Sequence, residues 1–258
     1  MPTREPGIGI FDSGVGGLTV VHRLIEALPD EHLIYLGDTA RYPYGTKSAE
    51  VVSRYTLENA QFLLDKGVKL LVVACNTMSA VALDVLRAHT AVPVVGVIEP
   101  GARAALAATR NRKVGVIGTE GTIASGSYTR ALRALDPGLE IYTRACPLFV
   151  ALAEEGWVEN AIAEQAAAMY LASLRQSRID TLVLGCTHYP LLAKTIGAYL
   201  GPEVQLVDSA TETAREVAAT LAAEGLAARG PGSTSFFVTD VPDRFIKIGS
   251  RFLGSAVD

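Results

Sequence analysis

Two cysteines, Cys75 and Cys186, stand at matching places in the chain. Each follows a short apolar run, and each is followed by polar residues, Asn76-Thr77 in one case and Thr187-His188 in the other. A lone cysteine behind an apolar strand is most often a small core residue. Two at matched positions read differently. Ligands of open α/β sheets bind beyond the carboxyl ends of the strands, so two facing units would aim both thiols into one cleft. Cys146 has no counterpart near residues 36–40 and reads as structural. Opposed thiols suit a two-base device, in which a thiolate takes a proton from one face of a carbon and a thiol returns one to the other. That inverts the centre. A disulfide redox pair fits less well, since no C-x-x-C is present, and a nucleophilic hydrolase needs one thiol and a base rather than two thiols. An ordinary thiol titrates near about 8.5, so each needs help to ionise or donate near neutrality.

Helpers are present in the sequence. Asp12 ends the first apolar run and is suited to steer or accept a proton from Cys75; it reads equally well as a helix N-cap, which does not exclude catalysis. His188 lies two residues after Cys186, and histidine, a residue type suited to taking and giving protons near neutrality, fits the same task for that thiol. His22, His32 and His89 lie in ordinary helix or loop contexts. The stretch Asp12-Ser-Gly14-Val-Gly16-Gly17 has a faint look of a nucleotide loop, but it is not G-x-G-x-x-G, and no G-x-x-x-x-G-K-[ST] occurs. Its glycines read as allowing close backbone approach and a tight turn, with amides free for a substrate carboxylate. Asn76, Thr77, Thr119 and Thr187 add donors. The polar loop from Gly37 to Gly45 follows another apolar run and reads as a substrate-contacting loop.

The elements that must position these residues are short buried strands alternating with amphipathic helices. Strands are expected at Ile8–Phe11, Leu33–Leu36, Leu70–Ala74, Val94–Ile98, Lys113–Ile117, Glu140–Tyr142, Leu182–Leu184 and Val204–Val207. Such alternation predicts an α/β fold with mostly parallel sheets. A repeat organises it. Residues 67–77 align with 178–188, placing Cys75 on Cys186 at an offset of 111; the first strands align at 106, Ile34-Tyr35 with Ile141-Tyr142 at 107, and Val97–Pro100 with Val207–Ala210 at 110. Four segments in the same order predict two similar α/β domains, 1–98 and 99–210, pseudo-symmetric, with the active site in a narrow, closing cleft between them. Residues 211–258 add a helix, a strand near Ser235–Thr239 and a last helix. They either extend the second domain or return to complete the first, the latter being preferred. Asp240 is expected to cap the last helix, with Pro242 in its first turn.

Composition sets the class. The 258 residues are 49% apolar and 19% charged, with 23 basic against 27 acidic side chains. That leaves no basic footprint for nucleic acid. Three widely spaced cysteines argue against a disulfide framework and a closed zinc site, and suit a cytoplasmic protein. The first six residues show no apolar signal segment, and no apolar run reaches the roughly 18–20 residues of a membrane helix.

Taken together, Phe11–Thr19, Gly37–Arg41 with Pro43–Gly45, Ala74–Thr77 and Leu184–Leu191 resemble the glutamate racemases, within the cofactor-independent aspartate/glutamate racemases. The resemblance covers nearly the whole chain, including Val97–Gly101, Asp208–Ala210 and residues 236–239. It implies a racemase that interconverts L- and D-glutamate without a cofactor and supplies D-glutamate for peptidoglycan; homodimers are common among such racemases, and the sequence does not decide the oligomeric state. It implies that Cys75 acts on the D-enantiomer and Cys186 on the L-enantiomer, assisted by Asp12, His188 and Glu154. Asp12, Ser13, Tyr44, Gly45, Asn76, Thr77, Thr119, Thr187 and His188 would bind the substrate. The chain departs from the family pattern at Met78, where a small residue is common, at Ala151, where proline is common, and at Tyr42, which replaces an aliphatic residue. A racemase of aspartate or another small amino acid, and a non-catalytic amino-acid-binding module, are the alternatives.

Overall fold

The computed structural model describes residues 6–228 and 230–257; Met1–Glu5 of the segment read above for a signal lie outside them. Among the described residues nine strands run β1 (Ile8–Asp12), β2 (His32–Gly37), β3 (Leu70–Val73), β4 (Val94–Gly96), β5 (Lys113–Gly118), β6 (Glu140–Ala145), β7 (Thr181–Gly185), β8 (Gln205–Asp208) and β9 (Ser233–Val238). The helices between them are α1 (Leu18–Ala27), α2 (Ala49–Asp65), α3 (Asn76–Val81), α4 (Leu83–His89), α5 (Ile98–Ala108), α6 (Glu120–Ser125), α7 (Ser127–Leu135), α8 (Leu148–Glu155), α9 (Ala161–Gln176), α10 (Ala193–Leu200), α11 (Ala210–Ala223) and α12 (Pro242–Leu253). A 3-10 turn, Tyr189–Leu192, precedes α10.

Two sheets result, ordered β4-β3-β1-β2-β9 and β8-β7-β5-β6, and every pairing is parallel. The first four strands of each sheet follow the same order, which is the repeat expressed in space. Every residue of β1, β3 and β7 is buried, as expected when helices cover both faces of a parallel sheet. Local chemistry starts and stops the helices. Ser48 accepts the Val51 amide ahead of α2, Thr119 accepts the Thr122 amide ahead of α6, and Asn160 accepts the amides of Ile162 and Ala163 ahead of α9. Gly156 ends α8 at φ 75°, a backbone conformation that disfavours any side chain.

Three local expectations need correction. The fourth strand ends at Gly96, and Val97-Ile98 turn into α5, where Ile98 and Ala102 join the core around β5. Strand β4 therefore matches β8, and Val97 corresponds to Ser209, the residue before α11, two places away from the alignment drawn on sequence. The expected Glu140–Tyr142 strand continues to Ala145. Asp240 is not the cap of the last helix: that residue is Val241, at φ 49°, and Asp240 accepts the Val241 amide one step earlier.

The chain after α11 crosses back. Strand β9 pairs with β2 at the edge of the first sheet, and α12 packs on α1. Phe245 stacks on Tyr35 with ring centres 6.0 Å apart, and Phe252 meets His188 edge-on at 5.2 Å. The last helix therefore reaches a residue that the motifs placed in the site.

Candidate active site

A cavity of about 260 Å³ opens between the carboxyl ends of the two sheets. Ser13 reaches it from the end of β1, Tyr42–Thr46 from the loop after β2, and Cys75, Asn76 and Thr77 from the end of β3. The second sheet contributes Thr119 and Glu120 after β5, Pro147, Val150 and Ala151 after β6, and Cys186, Thr187 and His188 after β7. Both thiols are buried at its wall.

Each thiol has its own surroundings. Cys75 Sγ lies 3.8 Å from Ser13 Oγ. Burial, reinforced by the charge of Asp12, pushes this thiol up to about 12, against the opposing pull of the Met78 and Thr77 amides and the Ser13 hydroxyl. Cys186 Sγ lies 3.8 Å from His188 Nδ1. Burial raises this thiol as well, and the charges of Cys75, Asp12 and Glu154 add to the rise, while the His188 amide opposes it. Burial thus disfavours the thiolate form of both sulfurs. Each becomes a strong base once ionised.

His188 is buried, and its Nε2 lies 3.2 Å from Glu154 Oε1. A carboxylate only accepts, so Nε2 carries a proton; in the uncharged ring this leaves the Nδ1 lone pair facing Cys186. Glu154, not the exposed Glu155, makes this contact. Burial would raise the Glu154 carboxyl. Hydrogen bonds from His188 and Tyr42 and the charges of His188 and Arg244 outweigh it and hold the group below its usual value.

Asp12 is fully buried and stands behind the cavity wall. Its Oδ2 accepts the Gly14 amide at 3.0 Å and its Oδ1 faces the Thr187 hydroxyl at 3.5 Å, so it ties the first half to the second. Burial raises its carboxyl, opposed by the charge of His188 and the amides of Gly14 and Gly17. Those two amides point at Asp12 and are not free for a substrate carboxylate, contrary to the expectation above. Gly16 has a different duty: a Cβ there would fall 2.3 Å from Thr187 Oγ1 and 2.5 Å from the His188 ring.

The remaining candidates line the cavity in unequal ways. Tyr44 lines it, but its hydroxyl donates to the buried Asp38 and accepts from Asn59, so it braces the loop. Arg41 Nε donates to the same carboxylate at 2.7 Å. Gly45 presses so close to Thr119 that a Cβ would come within 2.6 Å of the Thr119 Cβ, and its carbonyl accepts the Gly121 amide. The hydroxyls of Thr77, Thr119 and Thr122 form a cluster at 2.9–3.3 Å. Asn76 Oδ1 accepts the Tyr128 hydroxyl at 2.7 Å, so only the amide nitrogen of this side chain can donate. Of the three departures from the family pattern, Met78 is core and does not line the cavity, whereas Tyr42 and Ala151 do. Cys146 is buried outside it.

Two contributors escaped the motif reading. Tyr42 stacks on His188 with ring centres 6.1 Å apart and engages Glu154. Arg244, on α12, donates to Glu154 Oε2 at 3.2 Å. Neither carries a local signal, since the partners are 90 or more residues away along the chain. Among the described residues no group of three or more His, Cys, Asp or Glu is placed to hold a metal ion, and no helix is long and apolar enough to cross a membrane.

The family profile described as Asp/Glu/Hydantoin racemase matches residues 8–217. The chain belongs to this family, among its glutamate racemases. It is 60% identical over 249 residues to a glutamate racemase of Geobacter metallireducens, covering 96% of this chain and 92% of that one. The crystal structure of glutamate racemase isoform RacE1 from Bacillus anthracis superposes with a TM-score of 0.95 at 42% identity, covering 99% of this chain and 97% of the other. That of the Francisella tularensis glutamate racemase in complex with D-glutamate gives 0.92 at 38% identity, covering 98% and 96%. The α/β architecture is thus that of solved glutamate racemases, and the protein is an isomerase of the amino-acid racemase class.

Proposed function

We propose that this chain interconverts L- and D-glutamate by proton transfer at Cα between two thiols on opposite faces of the substrate. The carrying observation is the convergence of Cys75 and Cys186 on one cavity, each from the end of the equivalent strand of its own sheet. Binding of D-glutamate by the Francisella relative supports the choice of substrate.

In this reading His188 Nδ1 takes the Cys186 proton, and the resulting thiolate removes the α-proton of L-glutamate. The Cys75 thiol then donates its proton to the opposite face of the carbanion, giving D-glutamate and a Cys75 thiolate. The reverse reaction starts from that thiolate. Each turnover passes the enzyme between two protonation forms, and solvent exchange resets them. Asp12 assists Cys75 through its charge, and Glu154 holds His188 in the accepting tautomer. Ser13, Gly45, Asn76, Thr77, Thr119 and Thr187 hold the substrate's charged groups, while Tyr44 shapes the wall. An amino-acid α-proton is far less acidic than a thiol. The basic thiolates that burial creates narrow that gap, and preorganised donors in a water-poor cavity supply the rest. As the resemblance implies, the D-glutamate formed serves peptidoglycan synthesis.

Incubation with L-glutamate in D2O, without added cofactor, tests this by chiral chromatography and mass spectrometry. D-Glutamate carrying one deuterium is expected. A panel with aspartate and alanine tests the substrate separately: preference for aspartate would reassign the substrate, and tight binding without turnover would make the chain a binding module.

A further inference from the structure

The last helix received no role from the motifs. In the structure α12 makes two contacts to one residue of the site. Arg244 Nη2 donates to Glu154 Oε2 at 3.2 Å, and Arg251 Nη1 donates to the Glu154 main-chain carbonyl at 3.0 Å. The other carboxylate oxygen, Oε1, faces His188 Nε2 at 3.2 Å. Each oxygen of Glu154 is therefore held by a different cationic or ring nitrogen. Phe252, on the same helix, packs edge-on against His188.

We propose that Arg244 is a positioning residue for the second thiol: it orients the Glu154 carboxylate on His188 Nε2 and so fixes the tautomer whose Nδ1 accepts from Cys186. The inference rests on the two-thiol reading above. A carboxylate free to rotate or to take up a proton releases Nε2. The ring proton can then move to Nδ1, which presents a donor where Cys186 needs an acceptor. The groups facing Glu154 are His188 from the turn after β7, Tyr42 from the loop after β2, and Arg244 from α12, with Cys186 within its field. Removing Arg244 removes one of the influences that keep the carboxyl ionised, so the acid limb of the rate profile moves to higher pH. The Arg244 side chain is 60% exposed, so solvent screens its charge and the effect is moderate.

The two enantiomers have equal free energy, so kcat/KM is the same in both directions and cannot reveal which thiol is affected. A thiol-specific readout can. Arg244→Ala, Arg244→Lys and Arg251→Ala are compared with the unsubstituted protein by pH profiles of kcat/KM and by iodoacetamide labelling of Cys186 relative to Cys75, followed by peptide mass spectrometry. For Arg244→Ala we expect kcat/KM to fall roughly three- to tenfold, an acid limb at higher pH, and slower labelling of Cys186 relative to Cys75. Arg244→Lys restores part of both, and Arg251→Ala leaves the limb and the labelling ratio in place. An unchanged limb and ratio in Arg244→Ala overturns the proposal, as does Arg251→Ala reproducing both changes. Absence of glutamate turnover by the unsubstituted protein would remove the underlying reading instead, and the labelling ratio would still decide whether Arg244 acts on Cys186.

Discussion

Gly16→Ala perturbs the seam between the two halves at Thr187 and His188 and leaves both thiols unsubstituted. The new methyl carbon would stand 2.3 Å from Thr187 Oγ1 and 2.5 Å from His188 Nδ1 and Cε1. Ordinary contact begins near 3.4 Å, so Thr187 and His188 must retreat by about 1 Å, or α1 must shift with Gly16. Neither side chain has room: both are buried, and His188 is held by Glu154 on one side and Phe252 on another. A misplacement of about 1 Å in a catalytic array lowers the rate on the order of 10²-fold, or about 3 kcal/mol of barrier. Overpacking adds a stability loss of about 1–3 kcal/mol. Gly197→Ala is the matched control. It lies inside α10, where a Cβ would meet nothing closer than 3.7 Å, and should stabilise by roughly 0.5–1 kcal/mol with activity unchanged. The assay is kcat/KM for racemisation beside urea melts of both variants. A Gly16→Ala protein that is folded and racemises like the unsubstituted chain would refute the reasoning, because it would mean that Thr187 and His188 need not hold these positions.

Other outcomes follow from the same geometry. Cys75→Ala or Cys186→Ala should lower turnover at least about 10²–10⁴-fold, whereas Cys146→Ala, outside the cavity, should cost about 1 kcal/mol of stability and leave the rate within twofold. Because burial and the Asp12 charge push Cys75 up to about 12, its labelling by iodoacetamide in the free protein should rise about tenfold per pH unit from neutrality upward; a plateau near the ordinary thiol value would contradict this. Asp180 accepts from the Thr109 hydroxyl and the Arg110 and Asn111 amides at 2.6–2.7 Å. Burial would raise its carboxyl, but these hydrogen bonds prevail and hold it below its usual value. Its stabilisation is therefore present above the unfolded carboxyl's titration and is lost as pH falls through the lower folded value. Asp180→Ala should cost about 1–3 kcal/mol at pH 7, with the gap in urea midpoint closing in acid.

Much of the framework is legible in the sequence because parallel strands covered on both faces appear as unbroken apolar runs. Once β3 and β7 align, Cys75 and Cys186 fall at equivalent strand ends, and the shared sheet order places them on one cavity. What the sequence hides is long-range. The amides of Gly14 and Gly17 look free until Asp12 is seen to turn back on them. The Tyr44 hydroxyl looks like a substrate ligand until Asp38 is found beneath it. Arg244 sits on a helix whose apolar face is obvious, but its partner Glu154 lies 90 residues earlier and leaves no period in the chain. The sequence makes β4 look two residues longer than it is because Val97 and Ile98 are as apolar as the strand they follow; only the packing of α5 decides where the turn begins.

The central claim is that two different groups act on the two faces of Cα. The most direct test is the early distribution of label when L-glutamate turns over in D2O. If Cys186 removes the proton and Cys75 returns another, D-glutamate carries solvent deuterium from the first turnovers while recovered L-glutamate keeps its protium. Deuterium entering both enantiomers at the same early rate, or D-glutamate retaining the original protium, would show a single base serving both faces and would contradict the account.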